Sequence, residues 1–162
     1  MDQSSDSVKP GIILIRQARA TDLPNIERQY GPLDNVGDPF CDTSQLTNIE
    51  YDRLLVAEVD GRYAGFLYLH VGKRPFFAPR VTRFAHIREV QVMKKFRRQG
   101  VGKKLTLYAL RRLKALGIRN VFLATAEANT VARRLYEGLG FKEYRKQVLY
   151  HLRINGSSKK GP

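Results

Sequence analysis

One short segment constrains the fold of this chain more than any other part of it. In order, its residues are Val92-Met93-Lys94-Lys95-Phe96-Arg97-Arg98-Gln99-Gly100-Val101-Gly102-Lys103. The apolar end of a strand is followed by a basic turn that contains glycine, and then by the start of a helix. The first N–H groups of a helix have no acceptor within it, and the helix dipole adds positive potential there. Gly100 and Gly102 let the backbone approach a ligand closely. The segment therefore predicts a site for phosphate or pyrophosphate.

Two common phosphate-binding patterns do not fit this segment. The P-loop pattern requires G-x-x-x-x-G-K-[ST], but Arg97 occupies its first glycine position and Lys104 its Ser/Thr position. The dinucleotide pattern G-x-G-x-x-G requires a third glycine where this chain has Leu105. The ligand therefore has to be held by a different strand–turn–helix arrangement.

Strands and helices alternate along the rest of the chain. Strands are predicted at Ile12–Arg16, Leu54–Val59, Tyr63–Val71, His86–Met93, Asn120–Thr125 and Tyr144–Arg153, and helices at 21–30, 44–51, 100–116 and 130–139. The pair Asp60-Gly61 between two β-rich runs predicts a hairpin, and the proline-containing stretch Gly72–Ala85 predicts a loop. Strand–helix–strand units in the second half imply a partly parallel sheet covered by helices.

The composition predicts one folded domain with short polar ends. With 162 residues, of which 43% are apolar, the chain is long enough for a hydrophobic core and is not a disordered basic tail. We expect a folded domain over residues 10–154 and flexible tails over residues 1–9 and 155–162. No apolar run approaches the length of about 20 residues that a membrane span needs, and the polar N-terminus shows no secretory signal.

The cysteine and histidine content bears on location and on metals. Cys41 is the only cysteine, which excludes an intramolecular disulfide and fits a reducing compartment. We therefore expect a cytoplasmic protein. His70, His86 and His151 lack the spacing of metal ligands, so we expect no metal site.

Charge is distributed very unevenly along the chain. The formal net charge is +14, yet residues 1–60 contain 11 acidic and 5 basic residues, whereas residues 61–162 contain 4 acidic and 24 basic ones. Residues 94–119 contain ten bases and no acid. A basic surface of this kind attracts phosphate backbones, so association with nucleic acid is an alternative function, although no nucleic-acid-binding motif is present.

The turn resembles the signature of a known family. Arg97-x-x-Gly100-x-Gly102 after a strand is similar to the R/Q-x-x-G-x-G/A motif of the GNAT acetyltransferases. A second block, Asn129-x-x-Ala132-x-x-Leu135-Tyr136 followed by Gly140-Phe141, resembles the family's next conserved segment, and Ile87, Val90 and Val92 fit its fourth strand. The order of elements matches from about Ile12 to Leu152. Lys94 departs from the family, many members of which have proline there.

The resemblance implies a fold and a cofactor site. The fold is α/β (α+β), a single domain with a mixed, mostly antiparallel central sheet, flanked by helices, in which strands 4 and 5 run parallel and splay apart. The co-substrate is acetyl-CoA, and no metal takes part. The pantetheine arm of acetyl-CoA would lie between residues 90–93 and residues 123–126. The residues expected to bind it are Val90, Val92, Met93, Arg97, Arg98, Gln99, Gly100, Val101, Gly102, Lys103, Asn129 and Tyr136.

The chemistry of amine acetylation requires a base and an acid. An alkylammonium has a pKa of about 10.4, so it must lose a proton before it attacks a thioester. Glu89 is the only acid between Gly61 and Ala126 and is the leading base candidate, with Glu127 or a water molecule as alternatives. A backbone N–H near Val92 could polarise the thioester carbonyl. The resemblance implies that Tyr136 protonates the departing thiolate. The competing structural interpretations are that Glu89 only pairs with a nearby arginine and that Tyr136 only packs in the core.

These observations predict an N-acetyltransferase. It would move an acetyl group from acetyl-CoA to a primary amine of a small molecule, peptide or protein, by direct attack in a ternary complex. The alternatives are a basic nucleic-acid-associated protein and a non-catalytic acyl-CoA sensor on the same fold. A homodimer is compatible with the family, and no membrane partner is expected. No motif identifies the acceptor, but the acidic residues of the first 60 positions could attract a cationic amine.

Overall fold

The computed structural model describes residues 11–30, 53–73, 78, 80–146 and 148. A first strand is followed by a short 3-10 turn and a helix, then by three strands, a second 3-10 turn and an alternation of helix, strand and helix. Their bounds are β1 Ile13–Gln17, the 3-10 turn Ala20–Asp22, α1 Leu23–Tyr30, β2 Leu54–Val59, β3 Arg62–Lys73, β4 Arg83–Val92, the 3-10 turn Lys94–Phe96, α2 Val101–Ala115, β5 Val121–Leu123 and α3 Thr130–Gly138.

The described strands form one sheet in the order β1-β2-β3-β4-β5. The first three pairings are antiparallel, and β4 pairs with β5 in parallel. A parallel neighbour needs a long crossover, which α2 supplies. The mixed, mostly antiparallel sheet with parallel strands 4 and 5 is therefore confirmed, as is the α/β class.

The hairpin between β2 and β3 forms where the sequence predicts it. Asp60 and Gly61 both adopt positive φ, 48° and 73°, as a tight two-residue turn requires. The N–H of Asp60 also donates to the carbonyl of Ile12 at 3.0 Å, which ties the turn to the chain entering β1.

Several element bounds differ from the prediction. β3 continues to Lys73 and β4 begins at Arg83, because the residues on either side of the proline-containing stretch pair with each other. The predicted loop 72–85 is therefore too long. β5 is shorter than predicted. Tyr144–Lys146 and Val148 lie outside any strand, and the ring of Tyr144 instead contacts that of Phe122 with centroids 5.6 Å apart. The remainder of that predicted strand, the predicted helix at 44–51 and both predicted tails lie outside the described residues.

The sheet carries a hydrophobic core on each face. On one face α2 packs its buried side chains against β1–β4, and on the other Ile26 of α1 packs against Leu54, Val56 and Phe66. Leu105, Ala109 and Leu113 recur at helical spacing and are at most 2% exposed. Each face of the sheet therefore has its own helix. The basic turn after β4 leads into α2 on one face, and α1 lies on the other.

An ion-pair network anchors the start of α1 to the sheet. Arg16 of β1 donates to both carboxylate oxygens of Asp22, at 2.7 and 2.8 Å, and its Nε donates to Glu58 of β2 at 2.9 Å. Asp22 is 6% exposed and also accepts the N–H of Arg19 at 2.7 Å. The hydrogen bond from Arg16 lowers the pKa of Asp22 below its ordinary value, against the opposing effect of burial. The network holds the 3-10 turn and the start of α1 against β1 and β2.

Candidate active site

A β-bulge in β4 determines which side chains face which helix. Ile87 pairs with Leu69 and Glu89 with Tyr68, so Arg88 is an extra residue in β4. A one-residue insertion moves every following side chain to the opposite face. Val90 consequently continues the α2 face that Ile87 occupies, whereas Glu89 lies on the α1 face beside Tyr68.

Beyond the bulge, β4 has no pairing with β5. The parallel pairing consists of Ala85–Val121, His86–Phe122 and Ile87–Leu123, while β4 continues to Val92. The N–H of Met93 donates to Ala64 of β3 at 2.8 Å. Because alternate residues of a strand direct their backbone groups to opposite sides, those of Val90 and Val92 point toward the gap between β4 and β5. These are two of the residues that the resemblance implies for cofactor binding.

The basic turn after β4 directs free helix N–H groups toward the same region. Gly100 is the N-terminal cap of α2 with a φ of 84°, and it has no side chain that could cap the helix. The first helical hydrogen bond runs from Lys104 N to Gly100 O at 3.0 Å, so the N–H groups of 101–103 have no acceptor within the helix. Arg98 also has a positive φ, 63°. Successive N–H groups in such a turn form a concave site for an anion.

Two of the expected cofactor-binding side chains hold the turn itself. The Nε of Arg97 donates to the carbonyl of Val92 at 3.0 Å, and the Nε2 of Gln99 donates to the carbonyl of Lys95 at 3.0 Å. Arg98 and Lys103 are exposed. The turn is therefore braced by Arg97 and Gln99, while Arg98 and Lys103 are the side chains that add charge at its surface.

Gly102 lies between β4 and α3. A Cβ at this position would lie 3.5 Å from Leu135, 3.7 Å from Val92 and 4.0 Å from Val90, which are ordinary contact distances. The position is therefore close to the apolar wall of the gap, yet it has room for one methyl group. Val101, the preceding residue, is 1% exposed and belongs to the core.

The charge of Glu89 acts on the phenol of Tyr136, the other acid–base candidate. Tyr136 of α3 is half-buried, with its ring 5.8 Å from that of Phe141. Burial raises the pKa of the Tyr136 phenol, and the negative charge of Glu89 raises it further. Glu89 is half-buried and accepts a hydrogen bond from Gln91 Nε2 at 3.2 Å. A protonated phenol and a carboxylate are thus available near the end of the β4–β5 pairing.

Asn129 and Glu127 occupy less enclosed positions. Asn129 is the N-cap of α3, and its Oδ1 accepts the N–H of Ala132 at 3.1 Å. Glu127 has a side chain that is 81% exposed and lies 3.6 Å from Lys146. Glu127 is therefore a surface group, whereas Glu89 lies in the sheet beside the gap.

Sequence reasoning did not identify Gln91 as part of the site. An amide two residues after the acid on one strand is a usable signal, because residues i and i+2 share a face. It was overlooked because no motif includes it. Among the described residues, no group of three His, Cys, Asp or Glu side chains is arranged to hold a metal ion. None of the described helices is long and apolar enough to cross a membrane.

Comparison with known families and curated proteins agrees with this geometry. The model of the acetyltransferase (GNAT) family matches residues 20–141. A mycothiol acetyltransferase of Frankia casuarinae is 38% identical over 99 residues, which cover 59% of this chain and 29% of the relative. The chain thus spans less than a third of that relative's length. An N-alpha-acetyltransferase of Sulfurisphaera tokodaii is 30% identical over 112 residues, which cover 66% of each protein.

Solved structures share the fold. A transcriptional regulator from Bacillus halodurans superposes with a TM-score of 0.69 at 25% identity, covering 87% of this chain and all of that chain. The aminoglycoside N-acetyltransferase AAC(6')-Iy, solved in complex with CoA, superposes with a TM-score of 0.71 at 21% identity, covering 91% of this chain and 99% of that chain. At this identity the second likeness concerns the fold alone.

Proposed function

Because the chain belongs to the GNAT acetyltransferase family, we propose that it transfers an acetyl group from acetyl-CoA to a primary amine. One observation carries the proposal. Pairing between β4 and β5 ends at Ile87–Leu123, and the backbone groups of Val90 and Val92 point into the resulting gap. Tyr136 and Glu89 lie close enough to interact electrostatically beside it. A long ligand with amide groups and a reactive end fits such a gap.

The residues present suit the phosphate end of acetyl-CoA. The N–H groups at 101–103 lack intrahelical acceptors, and Arg98 and Lys103 are exposed beside them. Together they would hold the pyrophosphate, since a helix N-terminus with added positive charge binds such an anion. The apolar wall formed by Val90, Val92 and Leu135 would line the gap along the ligand.

Bound acetyl-CoA supplies a thioester carbonyl that the free amine attacks, with the CoA sulfur leaving as a thiolate. Glu89 would accept the proton that the attacking amine loses, directly or through water. The N–H group of Val92 would stabilise negative charge on the carbonyl oxygen. Tyr136, kept protonated by its raised pKa, would donate its proton to the sulfur. Holding both reactants in one site supplies a further share of the rate.

A thermal-shift and turnover experiment tests this function. Acetyl-CoA stabilises a protein that binds it in the folded state, so we expect it to raise the melting temperature. Release of free CoA thiol on addition of an amine panel should then identify acceptors. A melting temperature that does not respond to acetyl-CoA would exclude the proposed function. A clear shift without thiol release for any amine would favour the non-catalytic sensor.

Exposed cations on α2 support a second candidate function, association with nucleic acid. Lys104, Arg111 and Lys114 are exposed, and within the described part of the chain none of them forms an ion pair. α2 has 15 residues and is about 22 Å long, so its far end lies beyond the turn that would hold pyrophosphate. Salt-sensitive binding to duplex DNA in the presence of saturating CoA would support this candidate. If DNA binding disappears when CoA is added, the DNA was bound at the cofactor site.

A further inference from the structure

A cleft lies on the α1 face of the sheet, at the end of β4. Its volume is about 230 Å³, and it lies between α1, the end of β4 and the basic turn. Gln29, Tyr63 and Gln91 contribute polar atoms to its walls. The Tyr63 hydroxyl donates to Gln29 Oε1 at 2.7 Å, which fixes the two side chains on the α1 side. The cleft is on the opposite side of the sheet from α2.

The charged lining of this cleft is entirely positive among the described residues. Arg28 comes from α1, while Lys94 and Arg97 come from the turn. Within the described ranges, neither Arg28 nor Lys94 forms an ion pair. Arg97 uses its Nε to bind the Val92 carbonyl, which fixes the guanidinium and leaves its other donors for a ligand. Three cations from two elements, without a carboxylate between them, favour an anionic group in the cleft.

Gln91 connects the cleft with the proposed base. It lines the cleft and also donates to Glu89 Oε2 at 3.2 Å. The bulge at Arg88 places both side chains on the α1 face. Glu89 itself does not line the cleft, whereas the three cations do, so an acceptor that contacts both has to extend past Gln91.

We propose that the cleft anchors the acceptor substrate through an anionic group, a carboxylate or a phosphate, while the amine of the same molecule lies at Glu89. This inference rests on the proposed acetyltransferase function and narrows its acceptor to amines that carry an anionic group at the far end of the molecule. It departs from the expectation that the acceptor is simply cationic and attracted by acidic residues of the first 60 positions. The carboxylate of Glu89 favours the amine end of the acceptor, and the cations of the cleft favour its anionic end.

Matched amines test the anionic end. With acetyl-CoA saturating, thiol release is measured for β-alanine, 4-aminobutyrate and 6-aminohexanoate and for the primary amide of each. We expect the longer acids to exceed their own amides by about tenfold in kcat/KM, since a hydrogen bond to a charged group contributes that much, and the advantage to shrink for β-alanine. Equal rates for acids and amides would overturn the proposal. Aminoalkyl phosphates of the same lengths then decide between carboxylate and phosphate.

Two variants locate the effect. Arg28→Ala should raise KM for 6-aminohexanoate about tenfold and leave KM for acetyl-CoA unchanged. Arg80→Ala removes an exposed cation next to the opposite end of β4 and should change neither constant. If Arg28→Ala instead raises KM for acetyl-CoA, the cleft belongs to the cofactor and the proposal is wrong.

Direct binding separates this proposal from the proposed function. Calorimetric titration of 6-aminohexanoate into CoA-loaded protein should show binding that Arg28→Ala weakens about tenfold. Absence of that binding overturns the anionic subsite whether or not any amine is acetylated. If neutral amines are acetylated and the acids neither react nor bind, the acetyltransferase function stands and the subsite fails. If acetyl-CoA itself does not bind, both fail.

Discussion

Gln91 Nε2 donates a hydrogen bond to Glu89 Oε2 across 3.2 Å. Both residues lie on the α1 face of β4 because Arg88 is inserted into the strand before them. The contact orients a carboxylate at the point where β4 leaves β5, and it connects that carboxylate with the cleft. The bulge therefore places Glu89 on the α1 side of the sheet and Val90 on the α2 side.

Replacing Glu89 tests both its catalytic role and its effect on Tyr136. Glu89→Gln keeps the shape but removes the charge, so we expect turnover to fall by about a hundredfold. The pKa of Tyr136 should fall as well, because the Glu89 charge is one of the two causes that raise it. It should stay above its ordinary value, since burial is the larger cause. Titration of ¹³C-labelled tyrosine by NMR, with the signal assigned through Tyr136→Phe, measures this shift.

Turnover that survives Glu89→Gln would point to water or Glu127 as the base. An unchanged pKa of Tyr136 in the same variant would show that the two groups do not interact. Glu137→Gln is the matched control, because its side chain is 60% exposed and pairs with Arg133 at the surface of α3.

Removing the Tyr136 hydroxyl should affect chemistry and leave binding intact. In Tyr136→Phe we expect kcat to fall by about a hundredfold, with the acetyl-CoA dissociation constant changed by less than about twofold, because the ring keeps its contact with Phe141. Rapid-mixing kinetics and calorimetry measure the two quantities. Tyr144→Phe is the control, since Tyr144 is 62% exposed. A full-rate Tyr136→Phe enzyme would mean that another group protonates the thiolate.

The two glycines of the turn should respond oppositely to alanine. Gly100 has a φ of 84°, so Gly100→Ala should cost about 1–2 kcal/mol of unfolding free energy and reduce the melting-temperature rise produced by acetyl-CoA. Gly102 is helical and has room for a methyl group. Gly102→Ala should therefore be neutral or stabilise by up to about 1 kcal/mol. Thermal melts with and without acetyl-CoA measure both effects, and equal behaviour of the two variants would contradict the assigned turn geometry.

Asp22 should make stability depend on pH in the acidic range. Its pKa is lowered in the folded protein, so the stabilisation is complete above the ordinary carboxyl value of about 3.9 and is lost as pH falls below it toward the lowered value. Asp22→Asn should cost about 2 kcal/mol near neutral pH, because Arg16 loses one of its two charged partners, and should flatten the acid limb of the stability curve. Urea unfolding at several pH values measures this.

Glu143→Gln serves as the control for Asp22→Asn. Its carboxylate is 57% exposed and 4.0 Å from Arg133, so we expect a change of less than about 0.5 kcal/mol. If the two variants behave alike, the buried network around Arg16 does not stabilise the start of α1.

Local signals in the sequence predict much of the fold. The Asp60-Gly61 hairpin, the strand before the basic turn and the helix from Val101 all follow from turn chemistry and hydrophobic period, and all are present. The pairing of Val71–Lys73 with Arg83–Ala85 could not be predicted in this way. It depends on two segments on either side of a proline-containing stretch, which come together only when the sheet forms.

The backbone of the proposed site follows from the sequence more directly than its side chains do. Val90, Val92 and the turn at Gly100 follow from a pattern, whereas Gln91 and Arg28 belong to no motif. Their placement depends on a single inserted residue in β4 and on how α1 lies over it. The sequence records the bulge only as a change of phase, from apolar Ala85 and Ile87 to apolar Val90 and Val92, and alternation alone does not distinguish such a change from the end of one strand.

The unpaired half of β4 also has a consequence for the protein before any ligand binds. Edge strands invite pairing with other chains. Here the backbone groups of Val90 and the N–H of Val92 face a gap between two strands of one sheet, while the carbonyl of Val92 accepts from Arg97. A ligand that hydrogen-bonds Val90 and Val92 would serve as a substitute strand and close that gap. Saturation with cofactor would then protect the folded chain from strand-to-strand aggregation, a benefit separate from any reaction it performs.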